Sequence, residues 1–278
     1  MSDRIIDLSD EPAMLSTRHD NLVIQRAGQP DVAIPFPDIA VLLVSHPVVR
    51  FTHAALSGLA SAGGVFVCCA ENRLPVAMML PIAGNFVQGE RLRRQASVKE
   101  PVKKQLWKSI VKAKIQSQAA LLNSLHGDDA GLGHLANDVK SGDSTGCEAQ
   151  AAKRYWPALF ASRDFRRDRD SQDANRFLNY GYAVLRSVVA RAICAAGLHP
   201  TLGLHHHNKY DAYALADDLM EPFRPLVDKA VWEVVQNLGA DTELDKHVKA
   251  AIIEALLVRL DAGGERRTLF DICARMAK

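Results

Sequence analysis

What this chain has little of narrows its reading first. Its five cysteines form no C-x-x-C pair, and an odd count without a secretory leader excludes a disulfide framework and predicts a reducing cytoplasm. No run of eighteen or more uncharged apolar residues occurs, so no membrane-spanning helix is predicted. Neither sign of charge dominates, because 34 Lys and Arg stand against 32 Asp and Glu for a net charge of +2. Attraction to a partner by overall charge is thereby excluded, and only local patches remain. Repeats of solenoid length are absent as well. What is there, 278 residues at 48% hydrophobic and 24% charged, is enough for a substantial core in one or two domains.

The first eighty residues are short apolar runs broken by turn residues. Arg4 to Leu8, Ala13 to Thr17, Leu22 to Arg26, Val32 to Phe36 and Ile39 to Val44 read as strands. Thr52 caps a short helix through Leu59, Gly63-Gly64 ends it, and Val65 to Cys69 with Val76 to Leu80 return to strand. Cys68 and Cys69 read as small buried residues. A boundary falls at Pro81 to Gly84, and beyond it the apolar spacing is helical. The main helices are predicted over 101–125, 145–160, 173–196, 211–237, 243–261 and 266–276, with Gly197 and the pair Gly263-Gly264 as C-caps. Gly181, inside the stretch LNYGYAVL, costs ~1 kcal/mol relative to alanine in a helix interior and predicts a close helix contact or a backbone approach. Tyr180 and Tyr182 beside it fill core or touch a ligand, and Trp107, Trp156 and Trp232 read as core.

The densest chemistry lies in GLHHHNKYDAYALADDLMEPFRP, from Gly203 to Pro225, which carries three histidines and the carboxylates Asp217, Asp218 and Glu221. On a helix these carboxylates share one face, and each like-charge pair costs ~0.2–0.5 kcal/mol. A divalent cation reverses that sign, and so does Arg224 three residues beyond Glu221. Pro222 predicts a kink at Glu221. In one unbroken helix His206 and Glu221 would lie ~22 Å apart, so a shared metal requires a turn between His207 and Ala212, for which Asn208 and Asp211 have the right chemistry.

Upstream, Gly142-Asp143-Ser144-Thr145-Gly146 reads as a turn that opens a helix. Glu148 then either closes a Thr145-x-x-Glu148 capping box or presents its carboxylate to a site. Positions 91 to 114 form a basic segment, in which Arg91, Arg94, Lys104, Lys108 and Lys112 are candidate phosphate contacts. The last three make a single stripe at four-residue spacing, set against the alternative of a merely solvated face. A second cluster, Arg163, Arg166, Arg167 and Arg169, alternates with Asp164, Asp168 and Asp170 and reads as an internally compensated turn.

Taken together, GDSTGCEAQAAKRYW, LNYGYAVLRSVVARAICAAGLHPTLGLHHHN and LADDLMEPFRPLVD resemble, in that order, the family of CRISPR-associated protein one, its compact type II members most of all. The likeness extends upstream through RLRRQASVKEPVKKQLWKSIVKAKIQSQAALL and VSHPVVRFTHAALSGLASAGGVFVCCAENRLPVAMMLP. It implies an α+β protein of two domains, a small β-rich dimerisation domain over 1–84 and a larger all-α catalytic domain over 85–278. It also implies that Glu148, His206 and Glu221 hold one Mn2+ or Mg2+, with Asp217 and Asp218 beside the site and His205 as a neighbouring alternative. One departure is visible: the family turn commonly reads Gly-Asp-Pro-x-Asn, where this chain has Gly142 to Gly146. The implied activity is insertion of short duplex DNA into a CRISPR array by attack of a 3′ hydroxyl on a phosphodiester, with nicking when water replaces that hydroxyl. The implied partners are a second copy, the small CRISPR-associated protein two, and double-stranded DNA. A catalytically silent DNA-binding subunit and a stand-alone nuclease are the alternatives.

Overall fold

The computed structural model describes residues 3–70, 75–81, 85–168, 170–206 and 210–277. The chain divides into two compact units, one made of Met1–Arg91, Ser187–Leu198 and Leu257–Lys278, the other of Leu92–Arg186 and His199–Leu256. The first unit thus runs past the expected boundary at Gly84 and recruits two later segments of chain.

In the first unit the apolar runs form two four-stranded sheets. One is ordered β1 (Arg4–Leu8), β5 (Ile39–Val44), β7 (Val65–Cys69), β8 (Pro75–Met79), with the first three strands parallel and β8 antiparallel to β7. All six residues of β5, IAVLLV, are buried, as befits a strand covered on both faces. The other sheet is ordered β4 (Val32–Pro35), β3 (Asn21–Gln25), β2 (Met14–Arg18), β6 (Arg50–Phe51). Strands β2 and β3 form a two-residue hairpin in which His19 and Asp20 both take positive φ, 49° and 58°, the backbone that a right-twisted hairpin requires. Leu15, Leu22, Ile24, Ile39, Leu42 and Leu59 pack into one core. Helix α1 (His53–Ser61) begins at Thr52, whose hydroxyl accepts the Ala55 N–H at 3.2 Å. Cys68 is exposed and Cys69 half-buried, which corrects the expectation that both are core. The end of a later helix joins this unit because the Arg191 guanidinium donates to the Gly63 carbonyl at 2.9 Å and lies 3.4 Å from Asp3.

Helices follow: α2 (Gln88–Ala96), α3 (Glu100–His126), α4 (Leu132–Asn137), α5 (Cys147–Leu159), α6 (Ala174–Ala195), α7 (Ala214–Met220), α8 (Arg224–Leu238), α9 (Lys246–Leu257) and α10 (Leu269–Met276). The predicted helix over 211–237 is interrupted at Pro222, where Glu221–Phe223 form a 3-10 turn between α7 and α8. Gly197 ends α6 with φ +76° as expected. Gly263 and Gly264 are not helix caps. They turn the short hairpin of β9 (Leu260–Asp261) and β10 (Arg266–Arg267), so the helices over 243–261 and 266–276 shrink to α9 and α10. Gly181 is explained by packing, because a Cβ there would lie 2.3 Å from Val227 Cγ1 and 2.9 Å from Ile252 Cγ2. Trp107 is fully buried while Trp156 and Trp232 are half-buried, so only the first is the core residue expected. Among the described residues no helix is long and apolar enough to cross a membrane.

Candidate metal centre

The site grows from the buried face of α3. Trp107, Ile110, Val111, Ile115, Gln118 and Leu122 lie inward at helical spacing, and Lys114 falls on that same face. Its ammonium lies 2.6 Å from Glu148 Oε1 and 2.6 Å from Glu221 Oε2. Burial opposes the charge of Lys114, yet the Glu221 and Glu148 carboxylates outweigh it and hold its pKa above the ordinary lysine value. Two carboxylates more than seventy residues apart in sequence thus converge on one cation.

Glu148 is free to do this because another residue caps its helix. The Asp143 carboxylate accepts the N–H of Cys147 at 2.8 Å and of Glu148 at 3.0 Å, while Gly146 enters the helix at φ +65° without a side-chain cap. The Thr145 hydroxyl is 3.2 Å from Cys147 Sγ instead. The capping box between Thr145 and Glu148 is therefore corrected: Asp143 satisfies the orphan amides, and the Glu148 carboxylate points at Lys114.

Glu221 stands at the break before α8. A proline at 222 cannot donate a backbone bond, and the chain tightens into the 3-10 turn that carries Glu221. Its Oε1 is 2.9 Å from Arg224 Nε. Burial pushes the Glu221 carboxyl up, but Arg224 and Lys114 more than offset it and the net shift is downward. Its buried Oε2 has no directed hydrogen bond among the described residues, although the Lys114 ammonium is near. Arg224 lies over the Tyr182 ring, 4.4 Å from its centroid. The Tyr182 hydroxyl donates to Asp228 Oδ1, and the Tyr155 hydroxyl donates to Asp228 Oδ2 at 2.8 Å. Burial raises the Asp228 pKa to about 6 against these bonds. Tyr180 and Tyr182 are both buried, which is the core reading of the two.

The histidine loop is folded onto Asp218. One oxygen of that buried carboxylate accepts the N–H of Leu204 at 2.6 Å and of His205 at 3.0 Å, and the other lies 2.6 Å from His206 Nδ1. Gly203 makes the fold-back possible, since a Cβ there would come within 2.7 Å of the His206 carbonyl oxygen and 3.1 Å of Asp218 Oδ2. The hydrogen bond to Asp218 raises the His206 pKa, with burial opposing and the charges of Asp218 and Glu221 assisting. His205 turns the other way and stacks on Trp107 at 4.3 Å between centroids and 2° between planes. Asp217 is held by Arg186, whose Nε donates to Oδ1 at 2.6 Å and whose Nη2 donates to Oδ2 at 2.7 Å. His207 and Asn208 lie outside the described residues. Asp211 does supply turn chemistry, accepting the Tyr213 N–H at 2.9 Å.

Among the described residues, no group of three His, Cys, Asp or Glu side chains stands assembled as a ligand set. The donor chemistry fits a divalent cation all the same. Two carboxylates already meet at a positive charge, one of them through an oxygen without a directed hydrogen bond. The His206 imidazole, near enough to Glu221 for their charges to interact, is oriented through Nδ1 by the Asp218 carboxylate, the usual outer support of a metal-binding histidine. Oxygen and imidazole donors suit manganese or magnesium.

The basic candidates separate. Arg91 is half-buried and donates to the Ala196 carbonyl at the end of α6, so part of its guanidinium is engaged within the fold. Arg94 is exposed. Lys104, Lys108 and Lys112 run along α3 and, among the described residues, form no ion pair; the Lys104 stem packs over Gly142. The residues that sequence reasoning passed over are Lys114, Asp143 and Asp228. Lys114 had a signal: it is a lysine on the apolar stripe that runs through Val111, Ile115 and Leu122.

A family model described as CRISPR associated protein Cas1 matches residues 7–255. A CRISPR-associated endonuclease Cas1 of Neisseria meningitidis serogroup C (strain 8013) is 38% identical over 244 residues, 87% of this chain and 79% of its own. Among solved structures, a casposase bound to integration product superposes with a TM-score of 0.77 at 20% identity, covering 100% of this chain and 90% of that one. A Cas6-RT-Cas1–Cas2 complex gives a TM-score of 0.75 at 18% identity, covering 100% of this chain and 34% of that one. These last two likenesses bear on the fold.

Proposed function

The chain belongs to the CRISPR-associated Cas1 family, and on that premise we propose that it is a divalent-metal-dependent DNA integrase of spacer acquisition. The reaction would join the 3′ hydroxyl of a short duplex to the phosphodiester at each end of a CRISPR repeat, and the same site would nick DNA when water attacks. The observation that carries this reading is the convergence of Glu148 and Glu221 on one cation, with an imidazole oriented by Asp218 within electrostatic reach of Glu221. Glu148, His206 and Glu221 are the residues that would hold manganese or magnesium, which supplies Lewis-acid stabilisation of charge on the phosphoryl oxygens. Asp218 fixes the imidazole, Asp143 fixes the helix that presents Glu148, and Arg224 fixes Glu221. No covalent protein nucleophile is needed, because the attacking hydroxyl is brought by the DNA and the protein supplies alignment.

A second copy, the small Cas2 protein and duplex DNA are the proposed partners. A solved complex that contains Cas1 and Cas2 supports the second of these. The silent-subunit alternative loses its main premise, since it needs Glu148 as a cap and Asp143 does the capping.

The test uses purified protein, manganese and a labelled branched DNA that mimics a half-integrated spacer. Resolution of the branch by the wild type, lost in Glu148→Gln, His206→Ala and Glu221→Ala, is the expected result. Binding without resolution, in manganese and in magnesium alike, would overturn it, and equal cutting of an unbranched duplex would favour a plain nuclease.

A further inference from the structure

The histidine that would complete the metal site sits on chain without regular structure. Helix α6 ends at Ala195 and α7 begins at Ala214, and among the described residues between them there is no helix or strand. Connections longer than about 12–15 residues without structure of their own are usually functional. A ligand carried on one has to be held from outside, because a misplacement of about 1 Å can cost 100-fold in rate.

The segment first closes on itself. Thr201 Oγ1 donates to the Ala212 carbonyl at 2.7 Å, and the Leu215 N–H donates to the Pro200 carbonyl at 2.7 Å. These two bonds make a neck, and His205 and His206 lie on the loop beyond it. One half-buried side chain of α2 grips that neck. Gln95 Nε2 donates to the His199 carbonyl at 2.9 Å and to the Leu202 carbonyl at 3.1 Å, while its Oε1 accepts the His199 N–H at 2.9 Å. Both N–H donors and the oxygen of the amide are thereby used, a set that neither a carboxylate nor a thioether can reproduce.

The grip falls where it decides the position of His206. Leu202, whose carbonyl Gln95 holds, is followed directly by the fold-back at Gly203. Leu204, His205 and His206 come next, and all three turn their N–H groups to the Asp218 carboxylate. Trp107 meets the same loop from α3 by stacking on His205. Because a carboxylate oxygen accepts from His206 Nδ1, that nitrogen carries the proton and Nε2 is left for a ligand. A shift of Leu202 would move this imidazole while Asp218, on α7, stays in place. Resting on the metal site proposed above, we propose that Gln95 is a positioning residue for His206, setting the loop register in which the imidazole is offered as a ligand.

Two substitutions separate this role from general support of the fold. Gln95→Glu keeps the shape and the acceptor but turns a carboxylate oxygen toward the two carbonyls, and Gln95→Met keeps the length without a polar group. Both are compared with the wild type in the absence of DNA. In EDTA, NMR of protein labelled with nitrogen-15 histidine reads the Nδ1 proton of His206, identified by its loss in His206→Ala. Both Gln95 variants should shift or broaden that signal and leave the signal of His126 unchanged, since His126 lies against the Leu159 carbonyl on other elements. In calorimetric titration both should bind manganese about tenfold more weakly, the low end for loss of an outer-shell partner, with melting curves in EDTA close to that of the wild type. An unchanged His206 signal overturns the assignment. So does a joint shift of His126 with a lowered melting temperature, which would make Gln95 a general stabiliser of the fold. If the His206 signal moves as expected but the wild type takes up no manganese, the metal site falls and the positioning role stands; if wild type and variants bind manganese equally, the metal site stands and the positioning role falls.

Discussion

Lys114 shows how much one side chain decides at the centre of this protein. It is mostly buried between two carboxylates, and removing a partner from a buried pair leaves the remaining charges uncompensated, at a cost of roughly 3 kcal/mol. Lys114→Met is therefore expected to lower the melting temperature measured in EDTA. If Glu148 and Glu221 bind a divalent ion, the Lys114 ammonium competes with it for the same oxygens, so the variant should bind manganese more tightly in calorimetric titration and recover much of its lost stability when the ion is added. Unchanged or weaker manganese binding would remove Glu148 and Glu221 from the ligand set. Asp228 makes a second case at the same scale. Its folded pKa of about 6 stands above the ordinary aspartate value of 3.8, so the folded state takes up a proton before the unfolded chain does. Stability from this group rises as pH falls from about 6 toward 4, and the shift of about 2 pH units corresponds to roughly 3 kcal/mol. The stability difference between wild type and Asp228→Asn, from urea melts at pH 7 and pH 4, should change by that order, in favour of the wild type at the lower pH. A constant difference would contradict a protonated Asp228 at pH 5.

Elements are where local sequence was most and least informative. Strands such as β5 and helices such as α3 and α6 were legible because their apolar period is uninterrupted, and their ends came within a residue or two. The turn at Glu221 was legible as a kink because a proline at 222 removes a backbone bond whatever surrounds it. The cap of α5 stayed open between two readings because Thr145-x-x-Glu148 satisfies a local pattern, whereas the actual acceptor, Asp143, reaches across a left-handed turn at Gly142 and Gly146 that sequence spacing does not reveal. The partners of Asp217 and Asp218 were illegible for a related reason: Arg186 and the amides of the histidine loop are brought to them by tertiary packing alone. These two cap assignments make a direct comparison. Asp143→Ala should destabilise the protein by ~1–2 kcal/mol, the ordinary value of a lost N-cap acceptor, and should lower branch resolution by moving Glu148. Thr145→Ala should change neither by a comparable amount. Chemical denaturation of the two variants side by side decides between them, and equal losses would return Thr145 to the capping role.

For the whole molecule, charge is nearly balanced, with a net of +2, so affinity for DNA has to come from how the charges are distributed. Lys104, Lys108 and Lys112 recur every four residues on α3, while Lys114 lies ~120° around the helix from Lys108. One helix thus carries a row of lysines, with Lys104 exposed and Lys108 and Lys112 half-buried, and sends Lys114 inward to the carboxylates. A row of this kind binds phosphates without reading sequence, and each contact releases a condensed counterion. Replacing all three stripe lysines by alanine should weaken duplex binding uniformly across unrelated sequences. It should also reduce the magnitude of the slope of log affinity against log salt by about 2.7, the value for three phosphate contacts on duplex DNA. The same variant should leave Lys114 and its partners in place, so resolution of the branched substrate at saturating protein should persist. Measured from low to moderate salt by fluorescence anisotropy, an unchanged slope would mean that the stripe is only a solvated face and that duplex DNA is held elsewhere on the molecule.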